Sequence, residues 1–147
     1  MTVVVYFSRA EASFDCSAVF PVKRKVPATR AVARAALSEL FAGPTQRESE
    51  LGYRSPFSAA TRTSLRGLRI VGGTAYVDLN DRRDQLAGAT SSCGAAELKA
   101  QISRTLRQFK TVRRVIVAIE GQPRTFYEWL SEPCDKRNDQ CDDKPFR

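Results

Sequence analysis

Two adjacent glycines in the middle of the chain constrain its fold more than any other feature. Gly72-Gly73 separates Leu68-Arg69-Ile70-Val71 from Thr74-Ala75-Tyr76-Val77, and a two-residue glycine turn between strand-like runs makes an antiparallel hairpin. In that register Ile70 faces Ala75 and Leu68 faces Val77 on one side of the sheet. Arg69 lies opposite Tyr76 on the other side, where a cation–π contact is expected. One apolar and one polar face imply a half-covered sheet.

The rest of the chain supplies what covers the apolar face. Residues 3–8 are rich in β-branched and aromatic types and read as a buried strand. A turn over 9–17 leads to a second strand over 18–26, placed at an edge by Pro21, which cannot donate to a central ladder. A helix follows, with Thr29 as its expected N-cap and Val32, Ala33, Ala36, Leu37 and Leu40 as its apolar face. Arg30 and Arg34 fall on the other side, and Gly43-Pro44 stops the helix. Residues 45–64 are polar and aperiodic and read as a long loop carrying Tyr53 and Phe57. After the hairpin and a second loop, residues 94–109 form a helix with Leu98, Ile102, Leu106 and Phe109 on one face. A last strand over 112–120 closes at Gly121.

The order is therefore β-β-α-β-β-α-β. The simplest packing is an α+β two-layer sandwich, a mixed or antiparallel sheet with two helices on one face. With no internal repeat or linker, residues 1–121 form one domain. Residues 122–147 form a C-terminal extension packed on it or trailing it, with Phe126 and Trp129 as anchors. The chain's 147 residues and 42% hydrophobic content suffice for one core. The longest apolar runs, 3–7 and 115–119, fall far short of the roughly 20 residues a membrane helix needs. No basic n-region or small-residue cleavage site precedes Val3, so the chain reads as a folded region that begins directly at a strand, and its start is silent on location.

Cys16, Cys93, Cys134 and Cys141 are even in number and widely spread, and four cysteines allow three pairings. Zinc sites favour close pairs, often with histidine, and this sequence has no histidine. Two disulfides are the preferred reading, with free buried thiols as the alternative, and disulfides imply an oxidising, extracytoplasmic compartment. Cys93 at the start of the second helix and Cys16 in the loop after the first strand should meet. That leaves Cys134 and Cys141 to close a small loop in the tail.

Without histidine, serine triads and Cys–His dyads are excluded in their usual forms, and no S-x-x-K motif occurs. The best acid cluster is Asp78, Asp81 and Asp84, which reads as a strand end and a solvated loop with its own arginines. As a calcium loop it fails, because Arg82 sits where an oxygen ligand belongs. Asp135, Asp139, Asp142 and Asp143 in the tail are interleaved with Lys136, Arg137 and Lys144, as on a charge-balanced surface. There is no phosphate-binding glycine loop. Neither a catalytic residue, a metal nor a cofactor is assigned.

A net charge of +8 and a pI near 9.7 favour contact with something acidic. Lys23-Arg24-Lys25 lies on the edge strand, where lysine also blocks edge-to-edge pairing. Lys99, Arg104, Arg107 and Lys110 form the outer face of the second helix, followed directly by Arg113 and Arg114. Such a run is most often a solvated face. The functional reading is a contact surface for an acidic protein or an anionic wall polymer. Nucleic acid is disfavoured, because aromatic residues are not interleaved as a stacking platform requires.

Several of these landmarks together resemble the GerMN (sporulation and spore germination) domain family. They are the Val5-Tyr6-Phe7 strand, Ala42-Gly43-Pro44-Thr45, Glu48 with Gly52, and the hairpin ending Tyr76-Val77-Asp78-Leu79. The series continues with Gln101-Ile102, Thr105-Leu106 and Phe109, then Val112, Val115, Val117 and Gly121. The resemblance implies a scaffolding or interaction module of secreted proteins and lipoproteins, including envelope and sporulation proteins of Gram-positive bacteria. No catalytic residues come with it. A lipid anchor in the full-length protein is compatible with it. The four cysteines and the tail after Gly121 match no shared feature of that family.

Overall fold

The computed structural model describes residues 1–134 and 139–147. In chain order its elements are β1 (Thr2–Arg9), β2 (Phe20–Lys25), α1 (Val32–Phe41), α2 (Gln46–Glu50), β3 (Tyr53–Arg54), β4 (Leu65–Val71), β5 (Thr74–Leu79), α3 (Ser92–Arg107), β6 (Arg114–Ile119) and α4 (Pro123–Trp129). The α+β class stands. The strands, however, are divided between two three-stranded sheets, β2-β1-β3 and β4-β5-β6, rather than one. β6 runs parallel to β5, and the other pairs are antiparallel.

The division has a local cause. Along residues 4–6 the edge of β1 that faces away from β2 is occupied by side chains of α3 and the turn following it. Tyr6 N–H donates to Thr105 Oγ1 at 3.1 Å, and Gln108 Nε2 donates to Val4 O at 2.8 Å. Further along, Gln101 Nε2 donates to Ser8 Oγ and to Arg54 O. Gln101, Thr105 and Gln108 recur at helical spacing and satisfy strand groups that no neighbouring strand reaches. A polar stripe on α3 thus ends the first sheet.

α1 and α3 pack on each other, and each touches both sheets, α1 through β1 and β4 and α3 through β1 and β6. Val5, Phe7, Leu37, Leu40, Phe41, Val77, Leu98, Ile102, Leu106 and Phe126 are buried among them. Burying each such large side chain stabilises the fold by about 1.5–3 kcal/mol.

Local details depart from expectation in two places. α1 begins at Val32 after Ala31 rather than at a Thr29 cap. Thr29 Oγ1 instead accepts from Ala31 N–H, which holds the approach to the helix as a turn. The expected loop over 45–64 contains α2 and β3. α2 opens with a capping box, in which Thr45 accepts from Glu48 N–H and the Glu48 carboxylate accepts from Thr45 N–H. Gly43, which precedes it, has φ +75°, and a Cβ there would lie 2.4 Å from Phe57 O. The chain can turn off α1 here only without a side chain.

Residues after Gly121 join the same hydrophobic core. α4 lies along β6, burying Phe126 and Tyr127, and Tyr127 Oη accepts from Val117 N–H at 3.1 Å. A short turn at Lys144–Phe146 returns to the hairpin. Phe146 packs edge-on against Tyr76 at 5.6 Å, and Arg69 donates to Pro145 O. The second face of the hairpin is therefore covered by the chain's own end. Tyr76 takes an aromatic partner there, with Arg69 turned to a carbonyl.

Candidate functional site

The acidic residues that sequence alone groups together diverge in space. Asp78 accepts from Gly121 N–H at 2.8 Å and faces Arg66 at 3.5 Å, which ties the end of β5 to the turn after β6. Asp81 is chelated by Arg83, whose Nε and Nη2 lie 2.9 and 2.8 Å away. Those hydrogen bonds hold its carboxyl at about 2. Asp84 is exposed. In the tail, Asp142 accepts from Lys144 N–H and Asp143 pairs with Arg147, while Asp135, Lys136 and Arg137 lie outside the described residues. Among the described residues no acids converge as a metal-binding group.

The cysteines form two disulfides. Cys16–Cys93 joins the segment after β1 to the first turn of α3 across 77 residues, and Cys134–Cys141 closes a tail loop of sequence separation 7. The first bond holds α3 at its N-terminal end, while the Gln101–Thr105–Gln108 stripe holds it along β1.

The basic residues of α3 do not all serve one surface. At about 100° per residue, Lys99 and Arg104 lie on opposite flanks of the helix with Arg107 between them, and Lys110 follows in the turn beyond the helix end. Lys99 is half-buried in an ion pair with Glu132, and burial lowers its pKa below the ordinary lysine value. Arg104 lies 4.3 Å from the Tyr6 ring centroid. Arg107 and Lys110 are exposed. Arg113 is exposed and donates to Gly72 O at 3.3 Å, and Arg114, also exposed, opens β6.

The Arg104–Tyr6 contact carries the basic surface from the helix onto the first sheet. Tyr6, Val4 and Thr2 oppose Pro21, Lys23 and Lys25 in the register of β1 with β2, so Lys23 and Lys25 project from the same outward face as Tyr6. Arg24, between them, points the other way. It binds Glu48 at 2.5 Å, Glu39 at 3.5 Å and Gly43 O at 3.0 Å. The Lys-Arg-Lys run thus divides into two surface charges and one structural clasp. The strand period of two in residues 20–25 was the legible signal for this.

The sequence profile of the sporulation and spore germination (Germane) family matches residues 4–125. Among solved structures, the tandem GerMN domains of the sporulation protein GerM from Bacillus subtilis are similar with a TM-score of 0.57 and 18% identity, over 82% of this chain and 39% of that one. The first GerMN domain of the same protein is similar with a TM-score of 0.51 and 19% identity, over 82% of this chain and 84% of that one. This chain thus spans well under half the length of the tandem chain. No curated protein matches it in sequence. Most of the leading strand, with the whole of the hairpin, the polar stripe of α3 and the closing strand, lies inside the matched segment, and the chain belongs to the sporulation and spore germination (GerMN) family.

Proposed function

We propose that this domain is a non-catalytic, extracytoplasmic interaction module of the bacterial cell envelope, which binds an acidic protein or an anionic wall polymer through the outer side of α3 and the outward face of β1 and β2. The observation that carries the reading is the continuity of Arg107, Arg104, Tyr6, Lys23 and Lys25 across three elements, α3, β1 and β2. A solvated helix face alone needs no such extension. The two disulfides support an oxidising compartment. The separation of Asp78, Asp81 and Asp84, each spent on a local partner or on solvent, supports binding rather than catalysis.

Binding to poly(glycerol phosphate) and to poly-glutamate, measured across a salt series, tests the proposal. Attraction between exposed charges weakens as salt rises. Replacing Arg104, Arg107 and Lys110 together by serine should weaken binding most at low salt. The melting transition should change little, because exposed charges contribute little to folding. An unchanged binding profile in the triple variant would remove this surface from consideration.

A further inference from the structure

Nearly every exposed strand edge in this fold is closed by an identifiable device. On β2 the outward-facing backbone positions are Pro21, Lys23 and Lys25, since the opposing residue Tyr6 turns its N–H away from β2 to Thr105. Proline and lysine are the residues that blunt an edge. The free side of β1 is satisfied by Thr105 and Gln108, and β3 is two residues long. The outer side of β6 is closed by Tyr127 Oη on Val117 N–H and by the Ile119–Gln122 bridge.

β4 is different. It is the terminal strand of the second sheet. Gly72 and Gly73 both have positive φ, as in a two-residue type I′ hairpin, so Val71 and Thr74 form its hydrogen-bonded pair. By alternation, the N–H and C=O groups of Leu68 and Ile70 point to the open side. None of the described residues hydrogen-bonds to them there. From Gly67 to Val71 this edge has neither proline nor lysine; the irregularity in its pairing lies before Gly67, and its one charge, Arg69, is on the other face and engaged with Pro145 O. Ile70 and Val71 are 36% and 51% exposed, among the most exposed large apolar residues of the protein.

Beside this edge lies an open groove of 410 Å³, floored by Leu68, Ile70, Phe109 and Val32 and rimmed by Arg30 and Arg34. Both arginines are exposed, and neither has an ion-pair partner among the described residues. We infer that the β4 edge takes up an extended, acidic segment of a partner protein as an added strand. Backbone groups of Leu68 and Ile70 would hydrogen-bond it, its alternate apolar side chains would enter the groove, and its carboxylates would meet Arg30 and Arg34. This is the strand-addition mode of peptide recognition, in which backbone bonds hold the segment and alternate pockets select it. Charge decides against a second copy of this chain: pairing β4 with β4 would bring two Arg30–Arg34 pairs together on molecules of net charge +8 each.

Arg104 lies over Tyr6 and, with Arg107, outside the lining of the groove, so the two sites can fail separately. A display library of random nonapeptides, selected on the purified disulfide-bonded protein, provides the probe. Enriched peptides should alternate apolar with other residues and carry acids, and their binding should slow amide exchange at Leu68 and Ile70. Ile70→Pro removes a donor from the open side while leaving the β4–β5 ladder its bonds, and should abolish binding. Arg30→Glu with Arg34→Glu should weaken it by about tenfold or more. Arg104→Ser with Arg107→Ser, which leaves Lys110 between the groove residues Phe109 and Thr111 intact, should bind these peptides as the unaltered protein does. If Ile70→Pro fails to fold, the charge reversal and the amide exchange decide alone. The inference is overturned by a library that enriches nothing, by enriched peptides that are basic or lack alternation, or by binding that survives both the folded proline variant and the charge reversal. A concentration-dependent dimer disrupted by Ile70→Pro would also overturn it, because the occupant would then be a second copy.

Discussion

The hydroxyl of Thr105, on the buried side of α3, accepts the backbone N–H of Tyr6 at 3.1 Å across 99 residues of sequence. Thr105 is fully buried, so water cannot replace it as an acceptor. Thr105→Val keeps the shape and removes the acceptor, leaving a half-buried donor without its protein partner. The expected loss is about 1–3 kcal/mol in denaturant melts, with faster amide exchange at Tyr6. Thr105→Ser, which keeps the oxygen, should cost markedly less. Equal losses for the two would mean that the methyl group rather than the hydrogen bond matters.

Leu106 and Arg107 are neighbours about 100° apart around the same helix, one fully buried and one exposed. Leu106→Ala should cost about 2–5 kcal/mol through the cavity it leaves. Arg107→Ala should cost no more than about 0.5 kcal/mol. Urea midpoints of the two variants check this.

The two disulfides should differ in weight. Closing a loop of 77 residues restricts the unfolded chain far more than closing one of 7. Cys16→Ser with Cys93→Ser should therefore destabilise by about 2–5 kcal/mol. The Cys134→Ser, Cys141→Ser pair should matter less and leave the α3 packing unchanged. Mass mapping of the unreduced protein should find the 16–93 and 134–141 pairings, and four free thiols would remove the compartment argument.

Acid should loosen the clasp at the end of α1. Burial alone would raise the Glu48 pKa, but hydrogen bonds from Arg24 and Thr45 outweigh it and hold the group below the ordinary value of 4.5. Because the folded value is depressed, the stabilisation is fully present above the unfolded carboxylate range and is lost as pH falls through the folded value. Urea midpoints taken downward from pH 6 should drop less steeply in Glu48→Gln than in the unaltered protein. Glu48→Gln should also start lower at neutral pH, because Arg24 keeps its burial and loses its closest carboxylate.

What the sequence alone determined is whatever depends on neighbours a few residues apart. The Gly72-Gly73 turn set the register of β4 with β5, and every pair expected from it is present. The period of Leu98, Ile102 and Leu106 placed the buried side of α3, and Pro21 placed β2 at an edge. Element placement near Cys16 and Cys93 anticipated their pairing. Tertiary structure decided the rest, because the deciding partners are far apart in the chain. Gln101, Thr105 and Gln108 look like solvated polar positions until β1 lies against them, and this divides one expected sheet into two. Arg24 looks like a surface charge until Glu48 arrives beneath it. The outer face of the hairpin looks open until the last residues of the chain return to Tyr76. A polar side chain carries no mark in the sequence of whether its partner will be water or a distant backbone group. Only the packed fold supplies that partner, and with it the difference between a closed strand edge and the open one at β4.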